Sequence, residues 1–421
     1  MTALSPATRF VTLAALRWFP VGLVIPVMVL LLQARGLDVA SIGWLVAIYG
    51  IVTASLELPT GGLADVFSRR AVLAAASLVG AAGSLLLGLS TSHAGLAMAM
   101  ALLGAARALG SGPLEAWYVD AVRRHEPDAD IATGISRGQA AEAIALAVGA
   151  IVGGFLPSAA AAVWPQLSEP GSTTVIALSV PFLLAAAMLV VHAVAAVWLL
   201  DATPRQREHS EPPATVFGTV RAGVGLAVRH PGLRRLMGYA ALLGVLLSGV
   251  ELISPGTFVG LLGGEDKGAA AYGILVSAGF GASALGAMMS PSITRRFGSV
   301  PTAAAAITVV AAAAVLTIAV PVFGLAGAGY VLLYLLIGVT GPMLAQLLHD
   351  RVASSERSTM LSIESLVLQL GGAASAILVG GLVSRAGLVV GFAFLAVVLL
   401  VAAALVRRVP VERATARGST E

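Results

Sequence analysis

The 421-residue sequence predicts an all-α integral membrane protein of twelve spanning helices, arranged as two six-helix bundles related by a pseudo-two-fold axis. Three observations predict it. Apolar residues make up 58% of the chain and charged ones only 11%, where a soluble domain carries about a quarter charged. Twelve apolar runs each approach the ~20 residues that cross a hydrocarbon core of ~30 Å. Basic residues gather on alternate loops, as the positive-inside bias requires. Lipid offers no partner to an open strand edge, so the runs are helices.

In chain order the runs are 10–32, 40–62, 71–91, 95–119, 134–157, 175–200, 234–260, 270–291, 301–322, 324–347, 359–384 and 387–407. Runs nine and ten are almost continuous, with Gly324 as the expected turn. Residues 201–233 form the one long polar interruption on the basic side, read as a linker followed by a surface helix near 215–230. The organisation is therefore a first bundle over 1–200, a linker over 201–233, a second bundle over 234–407 and a tail over 408–421. With both termini in the cytoplasm, 20 basic residues fall inside and 3 outside, namely Arg35, Lys267 and Arg385. Arg17 and Arg107 fall within spans.

The halves echo each other. Gly43 and Phe67 correspond to Gly273 and Phe297. Gly112-Pro113 corresponds to Gly341-Pro342, and Val152-Gly153-Gly154 to Val379-Gly380-Gly381. Offsets of 227–230 throughout favour a duplicated six-helix unit. Parallel repeats of this kind occur in transporters that rock two halves about a midplane site.

Composition excludes several classes. Without cysteine there are no disulfides, thiolate metal sites or cysteine nucleophiles. The arginines fall in short clusters between apolar runs, which is no nucleic-acid patch. No GxxxxGK[ST] loop supplies an ATPase, no metal-spaced histidine pair occurs, and no Ser-His-Asp constellation can be argued. His93 and His192 read as lone interfacial or packed residues. The first apolar run exceeds a signal-peptide core and lacks a clear cleavage site.

The stretch between spans 2 and 3 contains Gly61, Leu63, Ala64, Asp65, Arg69, Arg70 and Leu73. It resembles the loop signature of the major facilitator superfamily, with Val66 in place of a common Arg and Ser68 in place of the usual second Gly. The resemblance implies alternating access between two bundles. It also implies a latch on the cytoplasmic side. Asp120 would pair with the loop arginine, Arg70, while Asp65 would face the start of span 11 at Ser354-Ser355-Glu356-Arg357-Ser358. Gly61, Asp65, Arg69, Arg70 and Asp120 are the latch candidates.

Ionisable groups in spans cost a few kcal/mol and mark function by default. Arg107, Ser111 and Glu115 follow at helical spacing in span 4 and would share one sector. Arg107-Ala-Leu-Gly110 partly resembles the superfamily's span-4 arginine motif, which is linked to proton transfer. Glu251 in span 7, four residues before Pro255, has no cation nearby in sequence, so it is the preferred proton carrier, with Glu115 second. Glu142 and Glu364 stand near the inner ends of spans 5 and 11, where cross-half pairing with Arg137 or snorkelling to the interface are both open. Glu57 before Pro59 belongs to the gate or the pathway. Arg17, beside Trp18 and ahead of Pro20 and Pro26, is placed to meet an anionic substrate, to pair with Glu142 or Glu364, or to reach headgroups.

Gly149, Gly153 and Gly154 resemble the glycine-rich span-5 motif of drug antiporters in the superfamily, although the usual proline is Ala150. A small-residue packing face is the alternative. The combined reading is a monomeric, proton-coupled exporter of a small, largely apolar compound in the cell membrane, needing no cofactor. Uptake of a sugar, organic acid or peptide is the alternative. A membrane enzyme or sensor lacks a polar catalytic cluster or an appended domain.

Overall fold

A computed structural model describes residues 4–66, 68–124, 131–168, 174–201, 225–352 and 356–410, with only the backbone course described for 58–66, 168, 265, 266 and 358. Among the described residues, 12 helical segments are long and apolar enough to cross a membrane. The first is two helices, α1 (Pro6–Val24) and α2 (Met28–Ala34). Then come α3 (Val39–Val66) and α4 (Arg69–Leu89). The fourth is again double, α5 (His93–Leu109) and α6 (Pro113–Arg123). The first half ends with α7 (Ala132–Val163) and α8 (Val180–Leu199). The second half contains α9 (Pro231–Leu262), α10 (Glu265–Phe297), α11 (Val300–Ile318), α12 (Phe323–His349), α13 (Arg357–Ala386) and α14 (Leu388–Arg407).

The boundaries follow local chemistry. Ser5, Ser68, Ser92 and Ser299 cap α1, α4, α5 and α11 by accepting a backbone N–H three residues on. Proline opens α1, α6, α8, α9 and α11, where its missing N–H costs nothing. The ninth and tenth segments are separated at 319–322, a little before Gly324. Of the expected surface helix, residues 225–229 are helical, and 202–224 lie outside the described residues.

Two spans expected to be continuous are broken. Pro26 cannot donate to the turn before it, and α1 gives way to α2 there. Span 4 breaks at Gly110-Ser111-Gly112, where Gly112 has φ +91°, a conformation open to glycine, and Pro113 restarts the helix. Arg107 and Glu115 therefore stand on separate helices rather than on one face of a single one. The echo at Gly341-Pro342 carries no such break, and Pro342 stays inside α12.

Helix packing shows the duplication directly. In the first half α1 packs on α7 and α8, α4 on α5 and α8, and α3 on α5. In the second, α9 packs on α13 and α14, α11 on α12 and α14, and α10 on α12. Each pairing maps onto its counterpart when every span is advanced by six. The halves meet along two equivalent seams, α3 on α13 and α7 on α10.

An even number of spans puts both ends of the chain at one face, which also carries most of the arginines and is called the basic face below. At the opposite face a single buried apolar core joins both halves, including Leu30, Leu45 and Phe182 from the first and Phe258, Tyr272 and Phe392 from the second. At the basic face the two halves keep separate cores. One is built around Phe10, Leu73 and Trp117, the other around Leu236, Met343 and Val406. Outward-facing Trp198 (83% exposed) and Met288 (78%) leave an apolar girdle that water would not support.

Candidate functional site

Halfway across the first bundle, α1, α3, α5 and α7 bring together Arg17, Trp18, Tyr49, Arg107 and Glu142. The guanidinium carbon of Arg107 is 5.1 Å from the centre of the Trp18 ring, and that of Arg17 is 5.9 Å from it. Both distances suit a cation over an aromatic face, worth about 0.5–2 kcal/mol each. Trp18 and the Glu142 carboxylate are within interacting reach of each other. Arg17 donates to the Gly110 carbonyl oxygen, one of the acceptors released by the break in span 4. Arg17 is also within electrostatic reach of Arg107, Glu142 and Tyr49. Arg107 makes no hydrogen bond and no ion pair within 4 Å among the described residues.

Glu251 faces this cluster from α9. It is 11 residues before the end of the helix at Leu262, roughly 16 Å deep at the helical rise. Its side chain is exposed, yet Tyr49, Tyr272 and Tyr334 from three other helices are within electrostatic reach. That combination places it on the wall of the space between the bundles rather than against lipid. Behind it stand Tyr272, Tyr330, Tyr334 and Phe258, in edge and stacked contacts of 4.9–6.0 Å. No ion pair within 4 Å involves Glu251 among the described residues. Glu115, exposed in the first turn of α6, acts on Glu142.

The expected latch is only partly visible. Arg69, rather than Arg70, bonds Asp120, with Nη1 to Oδ2 at 2.5 Å, and it also donates to the Ala116 carbonyl. Arg70 points instead to the Val197 carbonyl at 3.4 Å. As the first helical residue of α4, Arg69 faces α6, while its neighbour turns about 100° away toward α8. The Gly61 and Asp65 side-chain positions and Ser354-Ser355 lie outside what the structure describes.

Across the seam between the halves, the Ser365 hydroxyl donates to Glu57 Oε1 at 2.8 Å. Glu364, its neighbour, is half-buried, and Arg137 is exposed. No ion pair joins Arg137, Glu142 or Glu364 across the halves among the described residues.

Gly149, Gly153 and Gly154 are packing positions. A Cβ on Gly149 would stand 3.0 Å from the Gly22 Cα, and one on Gly153 would overlap the Leu23 carbonyl, so both hold α7 on α1. Gly154 faces α10, where a Cβ would stand 2.6 Å from the Ala269 oxygen and 3.1 Å from the Gly273 Cα.

Sequence reasoning missed Tyr49, Tyr272, Tyr334, Gly110 and Ser365. The signal for Gly110 was legible, because Gly-Ser-Gly-Pro inside an apolar run marks a break. The tyrosines and the serine carry no local signal.

No curated protein sequence matches this chain. A family model described as the Major Facilitator Superfamily matches residues 10–345. Among solved structures, a bacterial homologue of the human lysosomal transporter Spinster, inward-facing and unoccupied, superposes with a TM-score of 0.76 at 15% identity, covering 96% of this chain and 95% of that one. The nucleoside transporter NupG gives 0.73 at 15%, covering 96% of each. A POT family transporter in complex with 5-aminolevulinic acid gives 0.69 at 13%, covering 95% of each. The likeness in fold accompanies a family match over most of the length, and the chain belongs to the Major Facilitator Superfamily, as a membrane transporter rather than an enzyme.

Proposed function

We propose that this transporter couples movement of a small molecule to protons by alternating access, with Glu251 as the proton carrier. One observation carries the reading. Glu251 is a carboxylate deep in the protein, exposed to the space between the bundles and without an ion-pair partner among the described residues. Such a group is stable there when it can take up a proton, and it must shed that proton to ionise toward water. The separate cores at the basic face and the shared core at the opposite one support a state open toward the basic face. The arginine bias supports assigning that face to the cytoplasm of a cell membrane.

The expectation of a largely apolar, exported cargo rests on Gly149, Gly153 and Gly154. Their packing on α1 and α10 accounts for them without a cargo. Solved relatives in fold include proteins described as nucleoside and POT family transporters, so uptake is supported as well as export.

The test uses the purified full chain in liposomes with an internal pH dye and a panel of acids, neutral compounds and cations. A compound gradient should drive proton movement in the wild type and none in Glu251→Gln. Cargo and protons moving the same way would make it a symporter, and opposite movement an antiporter. Compound flux with no proton movement would overturn the coupling.

A further inference from the structure

Arg107 and Arg17 are two permanent cations in the middle of a membrane protein, each close to the ring of Trp18. An intramembrane arginine costs a few kcal/mol, and persists when paired or when it meets a substrate. Arg17 is paired, through the Gly110 carbonyl and the nearby Glu142. Arg107 donates no hydrogen bond among the described residues: it stands against the face of Trp18 and shares Glu142 with Arg17. Glu142, within reach of Trp18 and of both arginines, balances one of the two charges. Glu115 acts on Glu142 and is not among the groups acting on Arg17. The cluster of Arg17, Arg107 and Glu142 thus retains a formal charge of +1.

The facing wall of the second bundle presents aromatic rings beside Glu251. Tyr334 and Phe280, both half-buried, stand edge-on at 6.5 Å on the second-bundle side. Tyr49 connects the two walls, being within reach of both arginines and of Glu251.

We infer that the cargo is a small organic monoanion, its carboxylate held by Arg107 and Arg17 and its apolar body set against Tyr334 and Phe280. This inference rests on the transport reading above and narrows its cargo. A single carboxylate neutralises the excess charge, and its two oxygens match a guanidinium fork. A phosphate dianion would leave a net negative charge in the same low-dielectric space. A cation would add to the two already there. A neutral compound would leave the excess positive charge in place.

The test compares matched head-groups on one body. Benzoate, benzamide and benzylammonium, and the corresponding hexanoate series, are titrated into the detergent-purified chain by calorimetry, with inorganic phosphate as a further probe. The carboxylates should bind at least tenfold more tightly than their amides, and the ammonium compounds and phosphate should not compete. Arg107→Gln should lose at least tenfold in carboxylate affinity while keeping its thermal midpoint. Arg107→Lys should recover part of it, because the charge returns without the fork. Arg17 also holds Gly110, so its variants are secondary. Carboxylates binding no better than amides, or carboxylate affinity unchanged in Arg107→Gln, would overturn the inference. The two readings fail differently. Carboxylate flux without proton movement would remove coupling and keep the anion site. Proton movement evoked by amides or amines but not by carboxylates would keep coupling and remove the anion site.

Discussion

Gly43 meets the carbonyl oxygen of Ala376 so closely that any side chain there would overlap it. The contact joins α3 to α13, one bundle to the other. Its symmetry mate joins α10 to α7, where a Cβ on Gly273 would collide with the Ala150 oxygen and approach the Gly154 Cα at 3.1 Å. The echoing pair Gly43 and Gly273 thus falls at the two seams along which the bundles meet, opposite Gly380 and Gly154.

Gly43→Val and Gly273→Val should each lower the thermal midpoint and abolish transport. Overpacking of a close helix contact costs about 1–3 kcal/mol, and here it also pries the bundles apart. Gly341→Ala is the control, since no atom comes within 4 Å of a Cβ at that position. A fluorescence thermal shift and a liposome flux assay read both. Full transport by Gly43→Val would remove the seam from the mechanism.

Asp38 caps α3 and should make the opposite face sensitive to acid. Its carboxylate accepts from Ser41, through the hydroxyl and the N–H at 3.0 Å, and from Ser384 of α13, which itself accepts from the Ala40 N–H at 3.1 Å. The Ser41 bonds, chiefly, hold the Asp38 carboxyl below the usual carboxylate range. A lowered value stabilises the folded chain above the ordinary pKa, and that stability is lost as pH falls through the lowered one. The loss therefore belongs below about pH 4. Asp38→Asn should abolish this component of the acid transition and raise the accessibility of a thiol probe placed at Val27, in the shared core. An unchanged acid limb and unchanged labelling would dismiss it.

Gly112→Ala should be costly despite open space around the residue. At φ +91° a Cβ is strained whatever the room, by about 1–3 kcal/mol. Relief would come from re-forming a helix through 110–112, which would withdraw the Gly110 carbonyl from Arg17. The variant should then lose affinity for cargo along with stability. Wild-type cargo affinity would show that the break is not needed to place Arg17.

Arg69 and Asp120 should contribute to transport more than to stability. The Asp120 side chain is 57% exposed, and exposed ion pairs contribute about 0–1 kcal/mol. A double-mutant cycle with Arg69→Gln and Asp120→Asn should give a coupling below about 1 kcal/mol in unfolding. Both single variants should slow transport severalfold, and Arg70→Gln should do so less. Equal effects at Arg69 and Arg70 would argue for general surface charge instead.

Much of the architecture was legible because lipid leaves the backbone one solution. Apolar runs of the right length become helices, and all twelve occur within a few residues of their expected limits among the described residues. Arg107, Arg17 and Glu251 were legible as candidates for the same reason, since charge in a span needs an explanation. What failed was the geometry built on an unbroken helix. Arg107, Ser111 and Glu115 looked like one stripe until Gly110-Ser111-Gly112 divided them.

By itself the sequence determined the number, order and type of the spans, the duplication and which few charges fall within spans. Each of these follows from local chemistry: hydrophobic length, capping residues, repeat spacing and the cost of burying a charge. Only the tertiary structure decided which charges meet. Trp18 meets both Arg17 and Arg107, Tyr49 links them to Glu251 across the bundle boundary, and Asp120 takes Arg69 instead of Arg70. Those contacts join residues tens to hundreds of positions apart, and their partners are set by how helices pack and where they break, which no local pattern encodes.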